Sequence, residues 1–141
     1  MGGVIALDPG EKRTGFAVAD ALRITTEPLD VYHGGLDDEG LFKHLAGLLE
    51  ERTVSTLVVG CPYNMDGTEG PQALKIKAWA ERLGTRFPDQ SVVLQDERLT
   101  TKEAEELLRE AGHHGDARKA RRDSWSALVI LKDWITAGEP R

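Results

Sequence analysis

The chain has 141 residues and a formal net charge of −6. This is the length of one ordinary domain, which we expect to span residues 1–141. The only cysteine, Cys61, excludes an intrachain disulfide. Because no stretch is apolar enough to cross a membrane and no signal peptide opens the chain, we expect a soluble cytoplasmic protein without a membrane partner. The acidic balance argues against a surface that grips a polyanion everywhere, but it permits an enzyme with a local basic patch.

Three short apolar runs near the start predict three strands. Val4–Leu7 is typical of a buried strand, and Gly15–Ala19 follows a turn marked by Pro9 and Gly10. Ile24–Tyr32 is the third, although Pro28 weakens it. Since the links between these runs are short, we expect an antiparallel meander.

The remainder of the chain alternates helices and strands. The predicted elements are a helix carrying Leu41, Leu45, Leu48 and Leu49, a strand at Thr56–Val59, a loop at Gly60–Gly70, a helix opened by Pro71, a strand at Val92–Leu94, a helix capped by Thr100 and Glu103, and a last helix from about Arg118 to about Thr136. A meander followed by alternating helices and strands predicts an α/β fold with a five-stranded mixed sheet flanked by helices. This order resembles that of the ribonuclease H-like fold.

Three acids are placed where burial would be costly. Asp8 and Glu97 each follow a predicted buried strand, and Asp123 lies in the apolar stripe of the last helix, three residues after Ala120 and four before Ala127. Taken one at a time, Asp8 and Glu97 are equally well explained as solvated loop residues. A first-turn acid that complements the helix dipole is the alternative for Asp123, although such an acid should face water. If the three converge, they need a cation, and carboxylates suit Mg²⁺ or Mn²⁺. Two such ions are the usual device for displacement at phosphorus.

Four blocks of the sequence carry a resemblance to a known family. They read "ALDPGEKRTGFAVAD", "LVVGCPYNMDGTEGP", "QDERLTT" and "KARRDSWSALVIL", and together they resemble the motifs of the YqgF (RuvX) family over essentially the whole chain. The resemblance implies a ribonuclease H-like fold and a nuclease described either as a Holliday junction resolvase or as the enzyme that matures the 5′ end of pre-16S rRNA. It also implies that Asp8, Glu97 and Asp123 are catalytic metal ligands. Asp96 stays an alternative to Glu97, and only one of the two is expected at the metals, because neighbouring strand residues point to opposite faces.

Cations flank each of these acids and predict a basic rim that grips phosphates. The expected contacts with structured RNA or branched DNA are Lys12, Arg13, Asn64, Arg98, Thr100, Thr101, Lys119 and Arg122. An ordinary solvated face is the alternative for the cations, and helix capping alone for the two threonines. A plain surface loop is the alternative for Asn64, and the family resemblance favours contact. Cys61 and the three tryptophans are expected in the core.

Other functions fit parts of the chain. "DPGEKRTG" resembles the phosphate loop of the actin and hexokinase superfamily, but those proteins close two domains around ATP. A non-catalytic RNA-binding or ribosome-assembly factor is a further alternative, although such a protein gains nothing from acids that face phosphates. The sequence leaves open the choice between rRNA precursor and DNA junction. It also leaves open whether the chain forms the homodimer that a junction resolvase needs.

Overall fold

A computed structural model describes residues 2–64, 66–97, 106 and 115–141, with residues 115–123 described as backbone only. The strands are β1 (Gly3–Pro9), β2 (Thr14–Ala19), β3 (Thr26–Pro28), β4 (Val54–Cys61) and β5 (Ser91–Asp96). The helices are α1 (Glu39–Glu50), α2 (Pro71–Arg86) and α3 (Gly115–Thr136). The expected helix at Thr100 and Glu103 lies outside the described residues.

The five strands form one sheet in the order β3-β2-β1-β4-β5. β1 and β2 pair antiparallel, as do β2 and β3, whereas β4 is parallel to both β1 and β5. This is the predicted ribonuclease H-like arrangement, a meander extended by parallel strands that helices connect. Because β1, β4 and β5 are parallel, their carboxyl ends meet at one edge of the sheet.

Side-chain alternation along the strands divides the core into two layers. On β1, Ile5 and Leu7 pack against α1 and α2, whereas Val4 and Ala6 pack against α3. Cys61, Trp79 and Trp134 are buried as expected. Each face of the sheet is therefore covered by helices, which explains why β1 and β4 are apolar on both faces.

Several predicted boundaries were wrong. The third strand is confined to Thr26–Pro28 and does not begin at Ile24, which is 74% exposed. Pro28 lacks an N–H for the ladder, and beyond it Leu29 and Tyr32 make backbone hydrogen bonds to β2 without continuing the strand. The predicted loop begins later than Gly60, because β4 continues to Cys61. The last helix begins at Gly115 rather than near Arg118.

Two helix starts follow the local chemistry that the sequence suggests. The Asp38 side chain caps α1 by accepting a hydrogen bond of 2.8 Å from the Gly40 N–H. Pro71 occupies the first turn of α2, where its missing N–H costs nothing. Within the described ranges, no helix is long and apolar enough to cross a membrane.

Candidate active site

Asp8 lies near the carboxyl end of β1, on the face covered by α3. The alternation that places Val4 and Ala6 against α3 continues to Asp8, which is partly buried. Asp8 pairs with Gly15 across the antiparallel ladder. β1 therefore places a carboxylate on the α3 face, at the edge where the parallel strands end.

Glu97 follows the last residue of β5 and reaches the same face. Its N–H donates a hydrogen bond of 3.1 Å to the carbonyl of Cys61, so the ladder extends one residue beyond the strand. Val93 packs against α3, whereas Val92 and Leu94 pack on the opposite face. By the same alternation Glu97 shares the face of Val93.

Asp8 and Glu97 form a hydrogen-bonded pair of carboxyl groups, called here the acid pair. Burial, followed by the negative charge of Asp8 and the hydrogen bond with it, raises the pKa of Glu97 from its ordinary value of 4.5 to about 10. Asp96 adds a smaller repulsion. In the absence of a cation, the two carboxyl groups therefore favour sharing one proton over ionising together.

Asp96 does not share this position. It follows the alternation of Val92 and Leu94, which pack against the core on the α1 and α2 side. Glu97, one of the two neighbouring acids that the sequence left open, contacts Asp8.

Gly60 on β4 gives Glu97 the room to reach Asp8. β4 lies between β1 and β5, so a side chain from β5 has to cross it. A Cβ at Gly60 would lie 2.9 Å from Glu97 Oε2 and would also collide with the end of the Ile130 side chain from α3. Sequence reasoning missed this residue, although a glycine inside a buried strand is a recognised sign of close approach.

Asp123 belongs to α3, as predicted. It lies four residues before Ala127 and seven before Ile130, both of which pack against the sheet. These separations place Asp123 on the helix face that Ala127 and Ile130 share. Among the side chains that the structure describes, no three acidic, histidine or cysteine groups form a metal-binding cluster. Asp8 and Glu97 are two of the three expected metal ligands. The side chain of the third, Asp123, lies outside the part of the chain whose side chains are described.

The donor set fits a small divalent cation. Both members of the acid pair offer carboxylate oxygens, the ligands that Mg²⁺ and Mn²⁺ prefer. The Glu97 carboxyl group and the end of the Ile130 side chain occupy the space above Gly60. A cation bound at the acid pair would offset the repulsion that raises the pKa of Glu97.

Only some of the expected nucleic-acid contacts can be placed. Lys12 and Arg13 are exposed in the β1–β2 turn, directly after the strand that carries Asp8. Lys119 and Arg122 are in α3, within one turn of Asp123, with backbone positions alone described. Arg98, Thr100 and Thr101 lie outside the described residues.

Asn64 is exposed in the loop that leaves β4 at the same edge of the sheet. Its side-chain amide donates a hydrogen bond of 2.9 Å to Thr68 Oγ1, and its main-chain carbonyl accepts one of 2.8 Å from the Gly67 N–H. The Lys77 ammonium pairs with Glu69 and holds the loop against α2. Asn64 therefore stabilises the conformation of its own loop.

Solved structures of low sequence identity share this fold. A Fowlpox virus resolvase bound to Holliday junction DNA superposes with a TM-score of 0.60 at 10% identity, covering 98% of this chain and 99% of that one. T. thermophilus RuvC in complex with a Holliday junction gives 0.57 at 12% identity, covering 99% and 98%. The chain is therefore an α/β protein of the ribonuclease H-like fold.

The sequence comparisons identify the family. The family model described as "RuvX: Holliday junction resolvase" matches residues 2–137. A relative from Anaeromyxobacter sp. is 42% identical over 131 residues, covering 93% of this chain and 94% of that protein. One from Halalkalibacterium halodurans is 36% identical over 132 residues with the same two coverages, and both are named "Putative pre-16S rRNA nuclease". The chain belongs to the RuvX family.

Proposed function

We propose that this protein is a divalent-metal-dependent nuclease that hydrolyses phosphodiester bonds of structured RNA, with Asp8, Glu97 and Asp123 as its metal ligands and catalytic residues. The observation that carries the proposal is the acid pair, because two carboxyl groups held in contact without a cation destabilise the fold. If Asp8 and Glu97 had only a structural role, apolar residues at this edge of the sheet would stabilise the fold better.

The residues of the candidate site would have different roles in phosphodiester hydrolysis. The acid pair and Asp123 would hold two Mg²⁺ or Mn²⁺ ions, and the ions would activate a water and stabilise the leaving oxygen. Glu97 would release the proton that it shares with Asp8 when a cation is bound. Lys12, Arg13, Lys119 and Arg122 would position the phosphate backbone over the acid pair without reading bases, and Arg98, Asn64, Thr100 and Thr101 would add contacts around it.

Precursor rRNA is the substrate that we favour. The two relatives that carry the rRNA name are 36% and 42% identical over nearly their whole length, whereas the junction-bound structures share only 10% and 12% of residues and support the fold alone. Holliday junction resolution is the second candidate, supported by the family description. It would need a homodimer, because a four-way junction is cut at two symmetric positions.

A cleavage assay tests this proposal. The substrates are a 5′-extended 16S rRNA precursor fragment and a four-way DNA junction, each with Mg²⁺ or Mn²⁺ and with excess EDTA. We expect metal-dependent cleavage of the rRNA fragment that Asp8→Asn abolishes and Asp89→Asn, at an exposed turn, leaves unchanged. Full activity in EDTA would contradict the metal-dependent mechanism. Stronger cleavage of the junction would favour the second candidate, and RNA binding without any cleavage would favour an assembly factor.

A further inference from the structure

A preformed cleft of about 620 Å³ lies beside the candidate active site. Pro28–Val31 and His33 form one wall, and Ser124 and Trp125 of α3 form the other. The Ser124 hydroxyl donates a hydrogen bond of 2.5 Å to the carbonyl of Leu29, so the two walls are tied together. We call this the Trp125 cleft.

The Trp125 cleft lies at the height of Asp8 along the sheet. The Leu29 N–H donates to the carbonyl of Phe16 at 2.8 Å, and Tyr32 exchanges two hydrogen bonds of 2.9 Å with Thr14. Phe16 and Thr14 in turn face Leu7 and Pro9, the neighbours of Asp8 on β1. The cleft wall is therefore two strand spacings from Asp8, roughly 10 Å.

The chemistry of the lining suits a flat ring better than a phosphate. Trp125 is partly buried and packs against the core, which holds its indole in place, whereas Trp79 and Trp134 are each only 2% exposed. His33 contributes a second ring from the opposite wall. Among the described lining residues there is no lysine or arginine, and the exposed Asp30 would repel a phosphate. A carboxylate instead accepts hydrogen bonds from the amino groups of bases.

We propose that the Trp125 cleft binds an unpaired nucleobase of the substrate, with the base stacked on Trp125 and its amino edge donating to Asp30. The inference rests on the proposed function, because the base belongs to the strand whose phosphate lies at the acid pair. It adds a substrate class to that function: a nucleic acid with an unpaired nucleotide beside the cleavage position. In a continuous duplex every base is paired and stacked, so none is free to enter the Trp125 cleft.

Tryptophan fluorescence, together with the anisotropy of a dye-labelled RNA as the measure of affinity in every variant, tests the cleft in EDTA independently of cleavage. The probes are a 12-nucleotide single-stranded RNA, the same RNA with one central abasic position, and its fully paired duplex. We expect the single strand to quench emission and the duplex to quench it much less. Since base–aromatic stacking is worth about 1–3 kcal/mol, Trp125→Leu should weaken single-strand binding by about 5- to 150-fold and remove the quenching.

Two controls separate the loss of stacking from poor folding of the variant and from a change in charge of the RNA. Trp125→Phe keeps a ring that can stack, so it should retain most of the affinity even if Trp125→Leu folds poorly. The abasic RNA keeps almost all of the charge of the intact strand, and its binding to the wild type should be weaker. Equal binding of single strand and duplex, or the same affinity in Trp125→Leu as in the wild type, would overturn the proposal. A protein that shows Trp125-dependent binding but no cleavage would contradict the proposed nuclease and leave the base-binding cleft supported.

Discussion

The carboxyl groups of Asp8 and Glu97 are hydrogen-bonded to each other although strand β4 lies between the strands that carry them. Glu97 spans that gap because Gly60 presents no side chain on the α3 face. The acid pair therefore depends on β1, β4 and β5, and a substitution beside the pair on any of these strands should alter its geometry.

Replacing Gly60 with alanine should damage both the site and the fold. The new Cβ would push Glu97 and Ile130 aside, and such overpacking costs about 1–3 kcal/mol of unfolding free energy. A shift of about 1 Å at a catalytic group can cost about 100-fold in rate, so we expect cleavage to fall by roughly 10- to 100-fold. Turnover and urea unfolding measure the two effects.

Gly47→Ala is the matched control for that substitution. Gly47 lies inside α1, and a Cβ there meets nothing within 4 Å. We expect this variant to gain about 0.5–1 kcal/mol of stability and to keep full activity. If Gly60→Ala behaved like Gly47→Ala in both assays, the space above Gly60 would not matter for Glu97.

The metal-free protein should lose stability as pH rises because of Glu97. Its pKa is about 10 in the folded protein and near 4.5 when unfolded, so below pH 4.5 both states hold the proton. Between pH 4.5 and 10 the unfolded chain releases it and the folded protein does not, so the free energy of unfolding declines across that window.

Glu97→Gln should remove most of this decline. In EDTA at pH 8 we expect the variant to be more stable than the wild type by more than about 1.4 kcal/mol, the equivalent of one pKa unit. Glu81→Gln, at an exposed position on α2, should leave the pH profile of the wild type unchanged. Parallel profiles for wild type and Glu97→Gln would mean that the acid pair is ionised and solvated.

Asp123→Asn should abolish cleavage without weakening the fold. The helix position of Asp123, one turn before Ala127, is the basis for expecting its carboxylate beside the acid pair. Relief of like-charge repulsion should keep or raise the thermal midpoint in EDTA. Normal cleavage together with a large loss of stability would show instead that Asp123 serves the start of the helix.

The salt dependence of binding should report the basic rim. In an Asp8→Asn background, replacing both Lys119 and Arg122 with alanine should reduce the log–log salt slope by roughly 1.4 to 1.8, since each phosphate contact contributes about 0.7 to 0.9. Lys119→Ala should reduce the cleavage of the active enzyme more than Arg122→Ala, because Lys119 is four residues from Asp123 and shares its helix face.

A double alanine variant of Lys75 and Arg82 removes the same charge from α2, on the opposite face of the sheet. Its slope should match that of the wild type. An unchanged slope in the Lys119 and Arg122 variant would mean that the nucleic acid enters elsewhere.

The sequence predicted the order of the elements and the sheet well because each depends on local signals. Apolar runs and the Pro71 helix start are features of neighbouring residues, and both appear in the structure. The expectation that one of Asp96 and Glu97 turns away follows from strand alternation alone. Choosing between them required the register of β5 against β4, which only the folded sheet provides.

Features that depend on distant contacts were not predicted. Gly60 matters because Glu97 and Ile130, far apart in sequence, meet above it. The Trp125 cleft arises where the chain leaves the ladder after Pro28 and meets α3, nearly a hundred residues later. Helical spacing predicted a core role for Trp125, and the residue both packs against the core and lines the cleft.

Titration with Mn²⁺ by calorimetry tests the central claim, that Asp8 and Glu97 form a metal site, most directly. We expect the wild type to bind Mn²⁺ with release of protons, and Asp8→Asn and Glu97→Gln each to bind at least about tenfold more weakly, as loss of a group at a metal site commonly costs. Asp96→Asn, whose side chain follows the opposite face, should bind like the wild type. Equal Mn²⁺ affinity in the wild type, Asp8→Asn and Glu97→Gln would contradict the account.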